Sequence, residues 1–374
     1  MGSKKRNKDG GHRRNFFLHW AFRLLAIFAA VALILSYCAV YINPTKFIIP
    51  LFFGLYFLPI LFFNLLLLIV ALVFKSKSAW ISLAVIIPAF FFTGRFFKFK
   101  NKNADLPRED VITVMSYNVG SFHIGGFPSD SLKDIVIEEI RKIKPDIICL
   151  QEISFAFTDT LERLFPFYEF HSHHYKNSSK RINGMTILSK YEILERGNIA
   201  FKSSYNLSMY SDIVIVEDTI RVFNNHLESY ALSFKSLIKR LKTKDTTTQM
   251  ATDEIYEVHK KIGKTVLRRT LQVDSLAKLI DSSPYPTMIC GDQNETPMSY
   301  AYTTLASGHK DSFKEAGKGF GATFTIFYPL IRIDYIFAPP TSTVLSHKTL
   351  KWPHSDHYPI IAEISLNEIN KEDE

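Results

Sequence analysis

The chain begins with long apolar stretches and then changes period. From Leu24 to Ile42 nineteen residues carry no charge, from Phe47 to Phe74 twenty-eight, and from Ala79 to Gly94 sixteen. These stretches are apolar all round, which does not suit a soluble helix with one polar face, and about 20 apolar residues span a bilayer core. The pattern predicts a membrane anchor over residues 1–100 with three transmembrane helices, roughly 22–42, 47–74 and 79–96. A cleaved signal peptide would turn polar after its apolar region, whereas here one hydrophobic segment follows another.

Beyond a linker at 101–109, short β-branched runs alternate with helical patterns as far as residue 368, and a polar tail covers 369–374. Val111 to Tyr117, Asp146 to Gln151, Met185 to Ser189, Asp212 to Val216, Ile220 to Asn225, Thr287 to Gly291 and Arg332 to Phe337 read as strands. Ser131 to Ile143 reads as a helix, capped by Ser129 or Asp130 and followed by Pro145. The fold class is α/β, a mixed domain of many strands without internal repeats.

Charge divides the chain in the same place. The formal net charge is +9, but residues 1–104 hold 14 Lys and Arg against the single acid Asp9. Residues 105–374 therefore hold 31 basic and 35 acidic side chains, a net charge of −4. A duplex-binding domain carries a basic surplus where it meets phosphate, so nucleic acid is a disfavoured partner. Cationic flanks mark the cytoplasmic ends of membrane helices, and Lys4, Lys5, Arg6, Lys8, Arg13 and Arg14 put the N-terminus inside. Three crossings then place the large domain on the external, periplasmic side of a bacterial-type cytoplasmic membrane. Arg95, Lys98, Lys100 and Lys102 argue the other way. The three cysteines, Cys38, Cys149 and Cys290, lie in apolar runs and suggest buried thiols rather than a disulfide framework.

The chemistry lies where polar residues meet strand ends. Asn118, Glu152, Asn225 with His226, and Asp292 with Asn294 close successive apolar runs, Asp334 lies within the next, and Asp356 with His357 precedes the last. A sheet could gather them at one rim. Hard divalent cations take carboxylates and polarise phosphoryl oxygen, and His and Asn donors stabilise the charge that builds on phosphorus.

Six short motifs make the resemblance specific. Ser116-Tyr117-Asn118, Gln151-Glu152, Asn225-His226-Leu227, Gly291-Asp292-Gln293-Asn294, Arg332-Ile333-Asp334-Tyr335 and Ser355-Asp356-His357 stand in the order of the endonuclease/exonuclease/phosphatase superfamily, which residues 110–368 resemble throughout. The resemblance implies two packed mixed β-sheets flanked by helices, a four-layer α-β-β-α sandwich, and metal-dependent phosphoester hydrolysis. It implies Glu152 as principal metal ligand with Asn118 beside it, and Mg²⁺ or alternatively Mn²⁺ as the cation. Asp292 would orient or deprotonate the attacking water, and Asn294 would hold phosphate and water. His226 would donate to the phosphate, and His357, fixed by Asp334, would contact the scissile group. Asp356 is a further candidate for metal binding or acid/base work, and the choice of base between Asp292 and His357 stays open. Gln293 stands where the family is often apolar, Glu295 where aspartate is common, and Asn225 where threonine is frequent.

Taken singly, an Asn after a strand is more often a turn residue, and Asp-x-Asn a local turn network. Six motifs in family order outweigh those readings. Asn225 and Arg181 are substrate-binding candidates. His171, His173 and His174 suggest a loop over the site rather than a transition-metal centre, because no i, i+4 pair falls on a predicted helix. Lys235 to Arg269, with ten basic and four acidic residues, reads as a helical insertion whose basic face is solvated or meets anionic headgroups. The expected function is a membrane-tethered phosphoesterase acting on a phosphodiester or phosphomonoester, in a phosphorylated small molecule or lipid headgroup. The alternatives are a membrane-associated nuclease and a silent scaffold of the same fold.

Overall fold

The computed structural model describes residues 9–99, 111–124, 127–128, 130–176, 182–202, 204, 206–230 and 248–366. The linker, the polar tail, Arg181 and the first part of the basic insertion lie outside the described residues. The chain forms two compact units, Met1–Thr93 with Met298–Tyr300, and Gly94–Pro297 with Ala301–Glu374.

The first unit is helical: α1 (Asp9–Cys38), α2 (Ile49–Leu55), α3 (Phe57–Val73) and α4 (Ala79–Ile86), the last continued by short turns to Thr93. Within α1, Phe17–Cys38 is long and apolar enough to cross a membrane, with a mean hydropathy of 2.2. The other two expected spans differ from that reading. Helices α2 and α3 meet at a bend of 74°, and Ala79–Thr93 is a shorter apolar helix. Proline explains the bend: Pro59 lacks an N–H, and its ring opposes the carbonyl of Leu55, the last residue of α2. A count of uncharged residues is blind to that break. Between helices, Asn64 Nδ2 donates to Ala29 O at 3.0 Å and Tyr37 Oη to Val85 O at 2.7 Å.

The second unit contains two six-stranded mixed sheets flanked by helices. Its main strands are β1 (Val111–Asn118), β2 (Ile147–Ile153), β3 (Glu169–Lys176), β4 (Ile182–Ser189), β5 (Ile193–Ala200), β6 (Leu207–Ile215), β7 (Asp218–His226), β8 (Thr287–Asp292), β9 (Lys310–Asp311), β10 (Asp334–Ala338), β11 (Thr343–Thr349) and β12 (Ile360–Ser365). One sheet runs β11-β12-β1-β2-β4-β3 and the other β9-β10-β8-β7-β6-β5. In each, the two central strands are parallel, β1 with β2 and β7 with β8, and every other pairing is antiparallel. Parallel neighbours need a crossover. Helix α5 (Asp130–Ile143) lies in the first crossover and the long α7 (Thr248–Asp281) in the second, with α6 (Phe155–Leu164) following β2.

The two-residue period of the central strands feeds two cores. Ile112, Val114, Ile147 and Cys149 join Ile220, Val222, Met288 and Cys290 in one buried cluster shared by both sheets. Met115, Tyr117, Ile148 and Leu150 join Val136, Ile140, Phe157 and Leu161 of α5 and α6 in another. A strand buried on both faces reads as a continuous apolar run, which is how these strands appear in the chain.

Candidate active site at the rim of the sheets

The parallel pairs end together, and their C-terminal ends carry the polar residues. Asn118 closes β1, and Glu152 follows Gln151, its partner in β2. His226 and Asp292 are register partners at the ends of β7 and β8, and Asp334 opens β10 directly opposite Asp292. His357 arrives from the loop before β12 and bridges to Phe324. Ligand sites in open parallel sheets favour the carboxyl ends of strands for the same geometric reason.

Local backbone irregularities aim the side chains. The β2/β4 register slips between Leu150 and Ile153, and Glu152 sits there at φ 55°. A bulge next to a site re-aims a side chain, and a non-glycine residue at positive φ stores strain held by its surroundings. Asn294 is likewise at φ 53°. Gly291, at φ 121°, must be glycine: a Cβ there would lie 2.1 Å from Asn225 O, so any side chain would force β7 and β8 apart just before His226 and Asp292.

The resulting cluster is dense. Asn118 Nδ2 donates to Glu152 Oε1 at 3.1 Å and to Asp292 Oδ2 at 3.0 Å, while its Oδ1 accepts from Gly120 N. Asn118 therefore ties two carboxylates together across the two sheets. His226 Nε2 lies 3.4 Å from Glu152 Oε1 and 3.9 Å from Asp292 Oδ2. His357 Nε2 lies 3.7 Å from Asp292 Oδ2, and its Nδ1 is 3.0 Å from Asp334 Oδ2. Asn294 donates to Asp292 through its backbone N–H at 2.8 Å and its Nδ2 at 3.1 Å. All of these are buried except Glu152, whose side chain is 30% exposed and forms the open edge.

Burial and neighbouring charge set the proton affinities. Burial pushes the Asp292 carboxyl up to about 6, against the opposing pull of His357 and His226. Glu152 is raised by the same cause, and Asp356 and Asp334 add to it. Burial lowers His226 and favours the neutral ring. For His357 burial also works against the cation, but Asp334 and Asp292 outweigh it and hold the imidazolium well above its ordinary range.

Not every expected residue joins this cluster. Asn225 falls on the strand face opposite Asn224, and no hydrogen bond ties it to the site. Asp356 is exposed beside Ser355 and acts on Glu152 and His357 by its charge, without a hydrogen bond to either being among the cluster's contacts. The loop expected around His171 is instead the edge strand β3, and His171 is buried with its Nδ1 3.0 Å from Ser211 Oγ. Supporting residues hold the cluster: Thr323, overlooked in the sequence, accepts at Oγ1 from the backbone N–H of Ile333 and Asp334, and Ser355 of the last motif donates from Oγ to Asn118 O and accepts from His357 N. Asn224 Nδ2 donates across to Leu150 O and Thr186 O, both at 3.0 Å, and its Oδ1 accepts from Gln151 Nε2 at 2.7 Å. A polar residue inside an apolar run was the available signal for Asn224.

The donor set suits a hard cation. Glu152, Asp292 and Asp334 crowd one rim, where His357 is their one cationic partner among the described residues, and carboxylate oxygens of Asp292 and Asp334 lie with a His357 nitrogen within 4.8 Å of one another. Such an excess of negative charge favours a divalent ion.

A family model described as Endonuclease/Exonuclease/phosphatase family matches residues 115–357. The chain belongs to this family. It is accordingly a hydrolase of phosphoester bonds, from a family whose enzymes depend on divalent metal. Residues 16–96 match a model described as a domain of unknown function, DUF8431. No curated protein matches the chain. Among solved structures, the human nocturnin catalytic domain with bound sulfate is similar at 18% identity and a TM-score of 0.50, over 72% of this chain and 96% of that one. A mannosyl-6-phosphatase of Bacteroides thetaiotaomicron is similar at 16% identity and a TM-score of 0.50, over 68% and 99%. At these identities the likeness is one of fold.

Proposed function

We propose that this family member is a membrane-tethered, divalent-metal-dependent phosphoesterase that hydrolyses a phosphodiester or phosphomonoester of a small or lipid-like substrate. The observation that supports it most is the convergence of Asn118, Glu152, His226, Asp292, Asn294, Asp334 and His357 at one rim. Glu152, at the open edge, is the principal holder of Mg²⁺ or Mn²⁺, and Asn118 keeps that carboxylate beside Asp292. When bound, the cation polarises a phosphoryl oxygen and lowers the pKa of water.

The protein groups divide the remaining work. Asp292, raised to about 6, is suited to take a proton from the attacking water near neutral pH. Asn294 holds Asp292 and the incoming water in register. His357, kept protonated by Asp334 and Asp292, donates from Nε2 to the phosphate, because its Nδ1 faces Asp334. Neutral His226 supplies a second donor.

Tethering rests on α1 and its surroundings. Phe17, Phe28, Trp80 and Phe91 are each more than half exposed, which an apolar solvent explains and water does not. With the N-terminus inside, α1 as the single crossing places the hydrolase on the external side, the same outcome as three crossings. If the bent α2 and α3 form one further span, the side reverses.

The test is turnover by the full chain in detergent over a broad panel of phosphodiesters, phosphomonoesters and nucleic acids, with and without chelator. Metal-dependent turnover of small or lipid esters, abolished in Glu152→Gln, is expected. Absence of metal-dependent turnover across the panel overturns the reading, and activity confined to DNA or RNA makes the chain a nuclease.

A further inference from the structure

One cation of the basic insertion does not reach solvent. Ile262, Val266, Val273, Leu276 and Ile280 recur at helical spacing as the buried stripe of α7, and Arg269 occupies the place in that stripe between Val266 and Val273. Its side chain is wholly buried. A guanidinium at a core position persists only where fixed partners replace water, and the partners of Arg269 are the two loops that leave β7 and β8.

Arg269 Nε donates to Glu228 O at 2.8 Å, two residues beyond His226. Its Nη1 pairs with the buried Glu295 carboxylate, one residue beyond Asn294. The guanidinium also stacks on Tyr230, 4.6 Å from the ring centroid. Gln272, three residues along the same helix face, accepts from Glu228 N at 2.9 Å and donates to Ser204 Oγ at 3.1 Å, and Ser204 Oγ donates to the Glu228 carboxylate. On the other side, Tyr335 Oη is 2.8 Å from both Glu295 O and Arg332 O, which links the same loop to the approach of Asp334.

We propose that Arg269 and Glu295 form a positioning clamp that holds His226 and Asn294 in mutual register for phosphoester hydrolysis. The proposal rests on the reading of the rim as the hydrolytic site. Neither residue touches that site; both act through backbone. It also accounts for glutamate where aspartate is common: the extra methylene carries the carboxylate toward an arginine supplied from α7. Arg269 is well suited to the task because its planar fork can bind a carbonyl and a carboxylate at once, which a lysine ammonium does in no fixed geometry.

Replacing a buried ion pair by apolar residues of similar volume is often neutral for stability. The double variant Arg269→Met/Glu295→Met therefore separates positioning from folding. The full chain, with Mg²⁺ and bis(p-nitrophenyl) phosphate or p-nitrophenyl phosphate, is compared with the double variant and with Arg269→Lys. Melting temperature and amide exchange at Leu227–Tyr230 and Gln293–Thr296 are read beside kcat and KM. A clamp predicts that the double variant melts within a few degrees of the parent, as about 1 kcal/mol would allow, while kcat falls about 10- to 100-fold and KM changes little. Both loops should exchange faster together, and Arg269→Lys should fold without restoring kcat. Parental kcat in a folded double variant overturns the clamp. Should the double variant fail to fold, full kcat in Arg269→Lys overturns it instead. If the parent turns over neither ester nor any other of the panel, the hydrolytic reading fails, and the clamp is judged by exchange in Arg269→Lys: joint loosening of both loops supports it, and loosening of one or neither removes it.

Discussion

His357 shows how one residue acquires a role only through its neighbours. Its Nδ1 faces Asp334, and Nε2 is thereby left for the cleft. Asp334→Asn keeps the shape and removes the charge, so kcat is expected to fall about 10²- to 10⁴-fold in a protein that still folds. The pH dependence carries the sign. Burial lowers the imidazolium's affinity for its proton, and the two carboxylates raise it above the ordinary value. Removal of one carboxylate lowers it again, so activity that needs the cation is lost at a lower pH in Asp334→Asn than in the parent. A pH–kcat profile whose alkaline limb does not move would show that His357 does not carry it. In the chain alone, Asp334 and His357 are 23 positions apart and each has an ordinary capping or turn explanation; only the order of six motifs pairs them. Asn224 was harder to see, because its function depends on which sheet it faces.

Elements were legible in proportion to how deeply they are buried. The central strands β1, β2, β7, β8 and β10 were visible as apolar runs, within a few residues of their observed ends. Among the strands overlooked or misread are all four edges: β3 and β11 of one sheet, β5 and β9 of the other. Edge strands need no apolar second face and often carry charge, and β5 has mostly exposed or half-exposed positions, with Glu195 and Arg196 among them. Two tests belong here. Asn224→Leu leaves Leu150 O and Thr186 O without their shared donor between the sheets, at a cost of about 1–3 kcal/mol read from urea unfolding. His347, buried in edge strand β11, is lowered to about 3, chiefly by burial, with Asp311 opposing and Arg332 adding. Its folded pKa is below its unfolded value, so the stability it leaves intact at neutral pH is lost as pH falls from about 6.5 toward 3. Between about pH 7 and pH 5 the parent should lose about 2 kcal/mol more than His347→Gln. Equal losses would show that the ring is not held neutral.

At the scale of the whole molecule, the basic pI and the chemistry belong to different parts of the chain. The surplus of positive charge lies in residues 1–104, and the hydrolase carries −4. Among the described residues of the basic insertion, part of the charge is already engaged: Arg269 is buried, Lys260 is 3.0 Å from Glu257, and Arg268 is 3.4 Å from Glu228. Cations already paired with acids release few counterions on meeting a polyanion. Replacement of Lys260, Lys261 and Lys264 by Gln is therefore expected to change affinity for anionic liposomes by less than about threefold, since exposed charges such as that of Lys260, paired with Glu257, contribute little. A large loss of binding would return the helix to the role of a lipid-headgroup surface. The same charge distribution bears on substrate. Binding of a polymeric phosphate through several cationic contacts weakens steeply between about 50 and 200 mM salt, whereas a small ester held by a metal and two or three donors has little such dependence. KM for the best small or lipid-like ester is thus expected to stay within about threefold across that range. A slope comparable to that of a duplex-binding protein would mean that the cations of α7 act together with the rim on a longer anion, and would favour the nuclease reading over the small-substrate one.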